Sequence, residues 1–581
     1  FRPGKVYPEM YIRDIAWGME AAQYYYPDEY LRQPVEAYLA RQYTASTRSL
    51  DGDFGVVPGA GAIGGILTPN GDSNKQTIVA DEETSLIHAA YLYYNMTYNT
   101  AWLQKEIAGL PVITRLNRAA DWLLTHRLDP QTGLIWRGHT TDWGDVKFEK
   151  GPGYTDFNPA QDHKTASIYD QAMAYLALVE LATMNAALGD TARADQWQTA
   201  AEALKTQTNA LLWQVDKGFY LTHLHLTPLE HPFDESEMVS ISNAVAVYAG
   251  LTDQAQTGAI FQNLERARQA ARVRKPGLSL YPYYPDRWPN RFFDYPGMGN
   301  GNYQNGGVWD WWGGVQVQAE FSAGYSALAR EHLLLTAHDW KTHPGDIREW
   351  ESSTDPRHLG SSYYSAAAGT MGRAIIEGLF GVSLTGQGAV IQPRLGLNDG
   401  FIRIYQPATD RYVAYSFDWG QEVNRLDYGT NAPAPVQIKI LLLATERVQE
   451  VRLDGAVVAF DVAQVGQDSF LTLQGPSGEH RVELLKTTSS AASAPTPTGG
   501  NGGPGVSLNL APTPEHLPVT VFRPTPVPLP SPAAADRPAA DPARLRQGYL
   551  RLLRYASAGL VLLTSLGLLV LAFLRRVVGL G

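Results

Sequence analysis

Cysteine is absent from all 581 residues, which removes disulfides, thiolate catalysis and zinc-thiolate sites together. Charge is scarce as well. Only 18% of residues are Asp, Glu, Lys or Arg, and the net charge of −11 is spread without a basic patch, which argues against nucleic acid as a partner. Methionine is missing from position 1, where Phe1 stands, as expected of a fragment or a processed product. What is plentiful is apolar surface. At 44% hydrophobic residues, most of this length can fold, in more than one domain.

Aromatic residues are concentrated in one place. Tyr281 to Trp312 holds eleven rings, interleaved with Pro, Gly and Asn so densely that no helix or central strand can run from Tyr281 to Gly307. Rings on an irregular surface, beside Asn300, Asn302, Asn305 and Asp310, suit a sugar, whose CH faces stack while its hydroxyls need fixed polar partners.

Residues 1–383 read as a succession of helices. Ala194, Trp197, Ala201, Leu204, Thr208 and Leu211 place one apolar stripe on a helix face, and Ile113 to Leu124 repeats the pattern. Further helices are expected near 81–95, 165–188, 236–249, 254–272, 314–335 and 364–380. Ten to twelve helices fit a hairpin array or a closed double ring, and periodicity does not choose between them. From 384 to 486, short β-rich runs at turn-like spacing predict an antiparallel β-sandwich, to which no chemistry is assigned. Residues 487–544 are rich in Pro, Thr, Ala and Gly and predict a disordered tether. Residues 555–574 are almost wholly apolar and long enough for one membrane-spanning helix. Arg544, Arg546, Arg551 and Arg554 precede that span while Arg575 and Arg576 follow it. Charge counting alone would keep the large domain inside. Large domains translocate regardless of nearby charge, and the stalk-like tether favours an extracytoplasmic catalytic domain anchored by its C-terminal helix.

Hydrolysis of a glycosidic bond needs one carboxyl group to protonate the leaving oxygen and another to activate water or attack carbon. Three segments offer candidates. Arg13 and Asp14 precede an amphipathic helix carrying Trp17, where they can fix sugar hydroxyls or where Asp14 can simply cap the helix. Asp142 and Asp145 flank Trp143 and Gly144; a carboxyl beside an indole can be pushed up by desolvation, as a general acid requires, although Asp is also common in turns. Glu349 and Glu351 bracket Trp350 and, in an extended segment, point the same way; the bland reading is an acidic turn paired with Arg348. Asn70-Gly71-Asp72-Ser73-Asn74, with Asp81 beyond, imitates a calcium loop, but Lys75 stands where the sharp turn needs Gly, so it reads as a polar turn. No metal or cofactor is assigned.

Tyr11-Ile12-Arg13-Asp14 before a helix, Asn305-Gly306-Gly307-Val308-Trp309, and Glu351 followed by Pro356, Gly360 and Tyr364-Ser365-Ala366 resemble the six-hairpin glycosidases, which include glucoamylases, the processing α-glucosidase group and α-L-rhamnosidases. The resemblance covers roughly 1–480 in ordered motifs. It implies an (α/α)6 toroid, a general acid in a mid-domain loop at Asp142 (alternate Asp145), and a base late in the domain at Glu351 (alternate Glu349). It further implies that Arg13, Asp14, Trp17, Trp143, Asn305, Trp309, Asp310, Trp311 and Trp350 bind substrate. Asp142-Trp143-Gly144-Asp145 stands where glucoamylases carry Trp-Glu-Glu, closer to the processing α-glucosidase group, and the rhamnosidase acid motif is absent. The expected activity is inverting, exo-acting hydrolysis of α-linked oligosaccharides, with carboxyl groups ~6.5–9.5 Å apart. The rivals are a phosphorylase of the same fold, for which Arg348, Arg357 and His358 are the nearest cations to the base loop, and a non-catalytic carbohydrate-binding surface protein.

Overall fold

The computed structural model describes residues 2–45, 59–148, 153–229, 233–285, 298–342 and 344–487, all within one compact unit, Phe1–Val519. Its helices are α1 (Ile12–Ala22), α2 (Asp28–Ala40), α3 (Glu82–Thr97), α4 (Thr100–Gln104), α5 (Val112–His126), α6 (Ile168–Ala187), α7 (Thr191–Leu211), α8 (Ser242–Ala249), α9 (Gln254–Ala270), α10 (Asp310–Ser322), α11 (Ser326–Thr342) and α12 (Ser365–Arg373). The last continues as a π-helical turn, Ala374–Leu379.

Burial sorts these helices into two layers. In α3, α6 and α10 almost every residue is buried, whereas α5, α7 and α9 bury one stripe. A helix apolar on all sides must be enclosed, and one with a single stripe must cover something. Accordingly α1, α3, α6, α8, α10 and α12 pack each against the next, and α12 returns to α1. This closed inner ring settles what periodicity left open. Outside it, α2, α7, α9 and α11 each follow an inner helix and pack on it, and α5 packs on α3 after the short α4.

The expected helix at 314–335 is two helices, α10 and α11, broken at Gly324. Gly324 sits at φ +80, and a Cβ there would collide with the carbonyl oxygen of Val465, so a side chain is excluded by backbone conformation and by close approach together. Arg13 and Asp14 lie within the first turn of α1 and not before it. No side-chain cap is made at Tyr11, so Asp14 is not the N-cap.

Strands run from Val382 to Lys486 in two sheets. One contains Val382–Thr385, Gly388–Ile391, Val436–Leu442, Asp468–Gly475 and Asp461–Val465; the other is six-stranded and begins at Gly400–Gln406. Both sheets supply one hydrophobic core, Ile438 and Leu471 from the first and Val413, Leu426 and Leu484 from the second. The antiparallel expectation needs one correction: Gly388–Ile391 pairs in parallel with Val436–Leu442, because the chain reaches the latter only after building three strands of the other sheet. Tyr24 and Ile376 join this core, so the β-rich region packs where α1 and α12 end. Among the described residues no helix is long and apolar enough to cross a membrane; residues 488–581, with the expected tether and span, lie outside them.

Candidate active site

The first turns of the inner helices are tied to one another. Arg13 on α1 donates through Nε and Nη2 to both carboxyl oxygens of Asp81, at 2.5 and 2.8 Å, just ahead of α3. Tyr169 on α6 donates to the same carboxylate at 3.1 Å. Asp14 accepts from Tyr364, the residue before α12, and Arg137 faces Asp170 on α6 at 3.4 Å. Strands 10–11, 66–67 and 73–74 pair beside this end, and Val308 pairs with Glu351, bringing the loop before α10 against the loop before α12. The N-termini of α1, α3, α6 and α12 therefore meet at one end of the ring, each with partial positive charge.

Into this end come two carboxyl groups. Asp145 is partly exposed, and its two oxygens accept from the side-chain amides of Gln304 at 2.7 Å and Gln76 at 3.1 Å. Glu349 accepts from the Tyr7 hydroxyl at 2.8 Å and from the Ser361 N–H at 3.0 Å. Burial pushes Glu349 up to about 7 against those two hydrogen bonds, with the charges of Asp14 and Asp145 adding to the rise. Burial likewise lifts Asp14 to about 6, opposed by Tyr364 and Arg13 and reinforced by Asp145. Asp145 and Asp14 also act on the Tyr7 and Tyr11 hydroxyls, so Asp145, Glu349, Asp14, Arg13, Tyr7 and Tyr11 share one electrostatic neighbourhood.

Asp142 and Glu351 have different surroundings. Asp142 is fully buried at φ +71, its carboxyl takes the Ser240 hydroxyl, and its N–H meets His223 Nε2 at 3.0 Å. Burial raises it to about 7, with the Ser240 and Ser242 hydrogen bonds opposing. Glu351 lies 3.0 Å from Lys275 Nζ, which also binds Asp310 and Asp339 at 2.7 Å each. Asp310 additionally accepts from the Trp340 indole at 2.7 Å, so it belongs to this ion-pair cluster and not to the neighbourhood of Asp145. Glu349 and Glu351, expected to point the same way, thus end on separate partners.

Of the expected sugar-binding rings, Trp17, Trp143 and Trp311 cluster around Trp312, with Trp311 stacked on it at 4.2 Å, Trp143 edge-on to it at 5.0 Å and Trp17 edge-on at 5.8 Å. Trp309 contacts Trp143 at 4.8 Å and Trp350 at 6.5 Å. All but Trp350 are buried. The indole N–H groups of Trp17, Trp143, Trp311 and Trp312 are buried without a hydrogen-bond partner among the described residues. Asn305 does not reach the cleft through its side chain. It clamps Tyr284 at both N–H and C=O, and also donates to the carbonyl of Met298. Residues 286–297 of the aromatic stretch lie outside the described residues. The calcium-like string is a turn in which Lys75 is buried between Glu82 and Glu83, at 2.7 and 2.8 Å.

Sequence reasoning missed Tyr7, Gln76 and Gln304, neutral residues with no local signature. It also missed His139, His223 and Glu235, buried with ligand-type atoms within 4.8 Å of one another. The alternation His223-Leu224-His225 on one strand was the available signal, since residues two apart share a face.

A model of the mannosylglycerate hydrolase MGH1-like glycoside hydrolase domain matches residues 30–309. The α-L-rhamnosidase from Dictyoglumus thermophilum is similar in structure, with a TM-score of 0.51 and 11% identity over 82% of this chain and 46% of that one. The α-L-rhamnosidase of Streptomyces avermitilis gives 0.49 and 13% over 81% and 38%, and the mannosylglycerate hydrolase of Thermus thermophilus gives 0.44 and 15% over 64% and 95%. The chain thus spans less than half the length of either rhamnosidase. No curated protein sequence matches it. By this domain match the chain carries a glycoside hydrolase domain over residues 30–309, set in a ring of inner and outer helices like that of the six-hairpin glycosidases.

Proposed function

We propose that the protein is an inverting, exo-acting hydrolase of α-linked oligosaccharides in which Asp145 protonates the leaving oxygen and Glu349 activates water. The observation that carries this reading is the shared neighbourhood of Asp145, Glu349, Asp14 and Arg13 at the N-terminal ends of the inner helices. Chain order supports the division of roles, the acid in the mid-domain loop and the base late, as the resemblance to the six-hairpin glycosidases implies. A base near pH 7 suits Glu349, since a carboxyl with its pKa close to the working pH combines sufficient ionisation with sufficient basicity. Asp14 and Arg13 hold the terminal sugar, and the four unpartnered indole N–H groups are donors for its hydroxyls or for ordered water.

Asp142 and Glu351, the other member of each carboxyl pair, are in this reading structural: one secures its loop, the other neutralises Lys275. A phosphorylase would need a free cation, and Arg348 and Arg357 near the base loop are held by Asp346 and Asp355. In the same proposal residues 1–383 are the catalytic domain, 384–486 support it away from the cleft, and 487–544 tether it to a membrane helix at 555–574 with the catalytic domain outside the cell. The test is proton NMR of the anomer released from a panel of α-linked oligosaccharides and aryl glycosides. A released sugar of inverted configuration is expected; retention, or phosphate-dependent release of a sugar phosphate, would replace this reading.

A further inference from the structure

Asp142 stands in the left-handed region of the backbone, at φ +71, three residues before Asp145. Its N–H opens a chain of hydrogen bonds. It is shared between the Thr140 carbonyl at 2.9 Å and His223 Nε2 at 3.0 Å, His223 Nδ1 lies 3.1 Å from the Tyr284 hydroxyl, and that hydroxyl donates to Glu235 Oε1 at 2.6 Å. The second oxygen of Glu235 meets His225 Nε2 at 2.6 Å. The polarity is determined at every link. An amide N–H can only donate, so His223 Nε2 must offer its lone pair and the ring proton sits on Nδ1. Nδ1–H then donates to the Tyr284 oxygen, and the Tyr284 proton goes to the Glu235 carboxylate. Burial holds His223 down at about 4, so it is neutral at neutral pH, as the chain requires. Burial alone would push Glu235 up, but its three imidazole partners outweigh this and hold it well below the usual range, ionised and able to accept.

The same fixed polarity decides between two uses of the cluster. His139 Nε2 and His223 Nδ1 lie 3.4 and 3.5 Å from Glu235 Oε1, spacings that two ligands of one zinc-sized ion would also have. A metal on His223 Nδ1, however, would force the ring proton onto Nε2, donor against donor with the Asp142 N–H. The hydrogen-bonded reading satisfies every link and the metal reading breaks one. Tyr284 also ties the chain to the aromatic segment, since Asn305 holds its backbone while the adjacent Gln304 holds Asp145 itself.

We propose that His223, Tyr284 and Glu235 are positioning residues for the acid loop, fixing Asp142 so that Asp145 is aimed at the leaving oxygen. The proposal rests on the reading of Asp145 as proton donor. The experiment uses the full chain and its best substrate from the oligosaccharide panel, with kcat, KM and Tm measured for His223→Leu, His223→Gln, Tyr284→Phe and Asp145→Asn. Misplacing a catalytic group by about 1 Å can cost about 10²-fold, so His223→Leu should lower kcat by about that factor while KM moves less than about threefold. His223→Gln retains an acceptor for the Asp142 N–H and should recover most of the lost kcat; Tyr284→Phe should fall between wild type and His223→Leu. If His223→Leu does not fold, His223→Gln and Tyr284→Phe decide the matter, both being near-isosteric. Wild-type kcat in His223→Leu, equal losses in the Gln and Leu variants at equal Tm, wild-type kcat in Tyr284→Phe, or one tightly bound metal ion per chain by mass spectrometry would overturn the proposal. An active Asp145→Asn would instead remove the assignment of the acid, while an inactive Asp145→Asn beside a fully active His223→Leu would remove only the positioning role.

Discussion

Asp145 and Glu349 stand beside Asp142 and Glu351 in sequence, three and two residues away, yet the two pairs live in different chemistry. Asp145 and Glu349 accept from Gln304, Gln76, Tyr7 and Ser361 and feel each other's charge. Asp142 and Glu351 are tied to Ser240 and Lys275. All four have the composition of catalytic carboxyls. The difference teaches that partners supplied by distant loops, and not local sequence, give neighbouring carboxyl groups different surroundings.

The comparison breaks first at activity. Asp145→Asn and Glu349→Gln should each lower kcat by about 10³-fold or more, because each removes a proton-transfer group, while Asp142→Asn should stay within about tenfold of wild type. Steady-state kinetics on one substrate checks all three, and the reverse ranking would restore Asp142. Next comes stability. Lys275→Met leaves Asp310, Asp339 and Glu351 without their shared cation and should destabilise the fold by on the order of 3 kcal/mol in chemical denaturation, with Glu351→Gln milder. No change in the midpoint would show that Glu351 is not committed to that cluster.

The pH dependence sharpens the comparison at smaller cost. A base lifted to about 7 is protonated and inactive below that pH, so Glu349 should give kcat/KM an acid limb with its midpoint near pH 7. Because the folded-state value lies above the usual 4.5, the stabilisation from neutral Glu349 is full below pH 4.5 and lost as pH rises through 7. Glu349→Gln, always neutral, should therefore match wild type in acid and exceed it by roughly 3 kcal/mol at pH 8, read from Tm against pH. The smallest effect concerns the support region: Gly324→Ala forces a Cβ into the Val465 carbonyl and should cost roughly 1–3 kcal/mol of stability while leaving KM unchanged.

Much of the fold was legible because it is written in local periodicity. The stripe holds as the buried face of α7 at Trp197, Ala201, Leu204 and Thr208, with Leu211 at its end exposed, and the change to β-rich runs falls where the helices stop, between Leu379 and Val382. Ring closure was not legible in the periodicity and was expected only from the family resemblance, since the packing of α12 on α1 is what closes the ring. The break at Gly324 was hidden for the same reason: what forbids a side chain there is Val465, 141 positions away. At the site, the candidate segments were visible as Asp-Trp-Gly-Asp and Glu-Trp-Glu. Choosing within each needed Gln76, Gln304 and Tyr7, which carry no chemical signature alone. The alternation of His223 and His225 was visible but unread, because an imidazole pair on a strand acquires meaning only when Glu235 and Tyr284 arrive beside it.

The central claim is tested most directly by proton NMR of the same α-linked oligosaccharide incubated with wild type, Asp145→Asn and Asp142→Asn at equal concentration. The account predicts sugar released with inverted anomeric configuration by wild type and by Asp142→Asn, and none by Asp145→Asn over the same interval. Undiminished release by Asp145→Asn, with release abolished in Asp142→Asn, would contradict it.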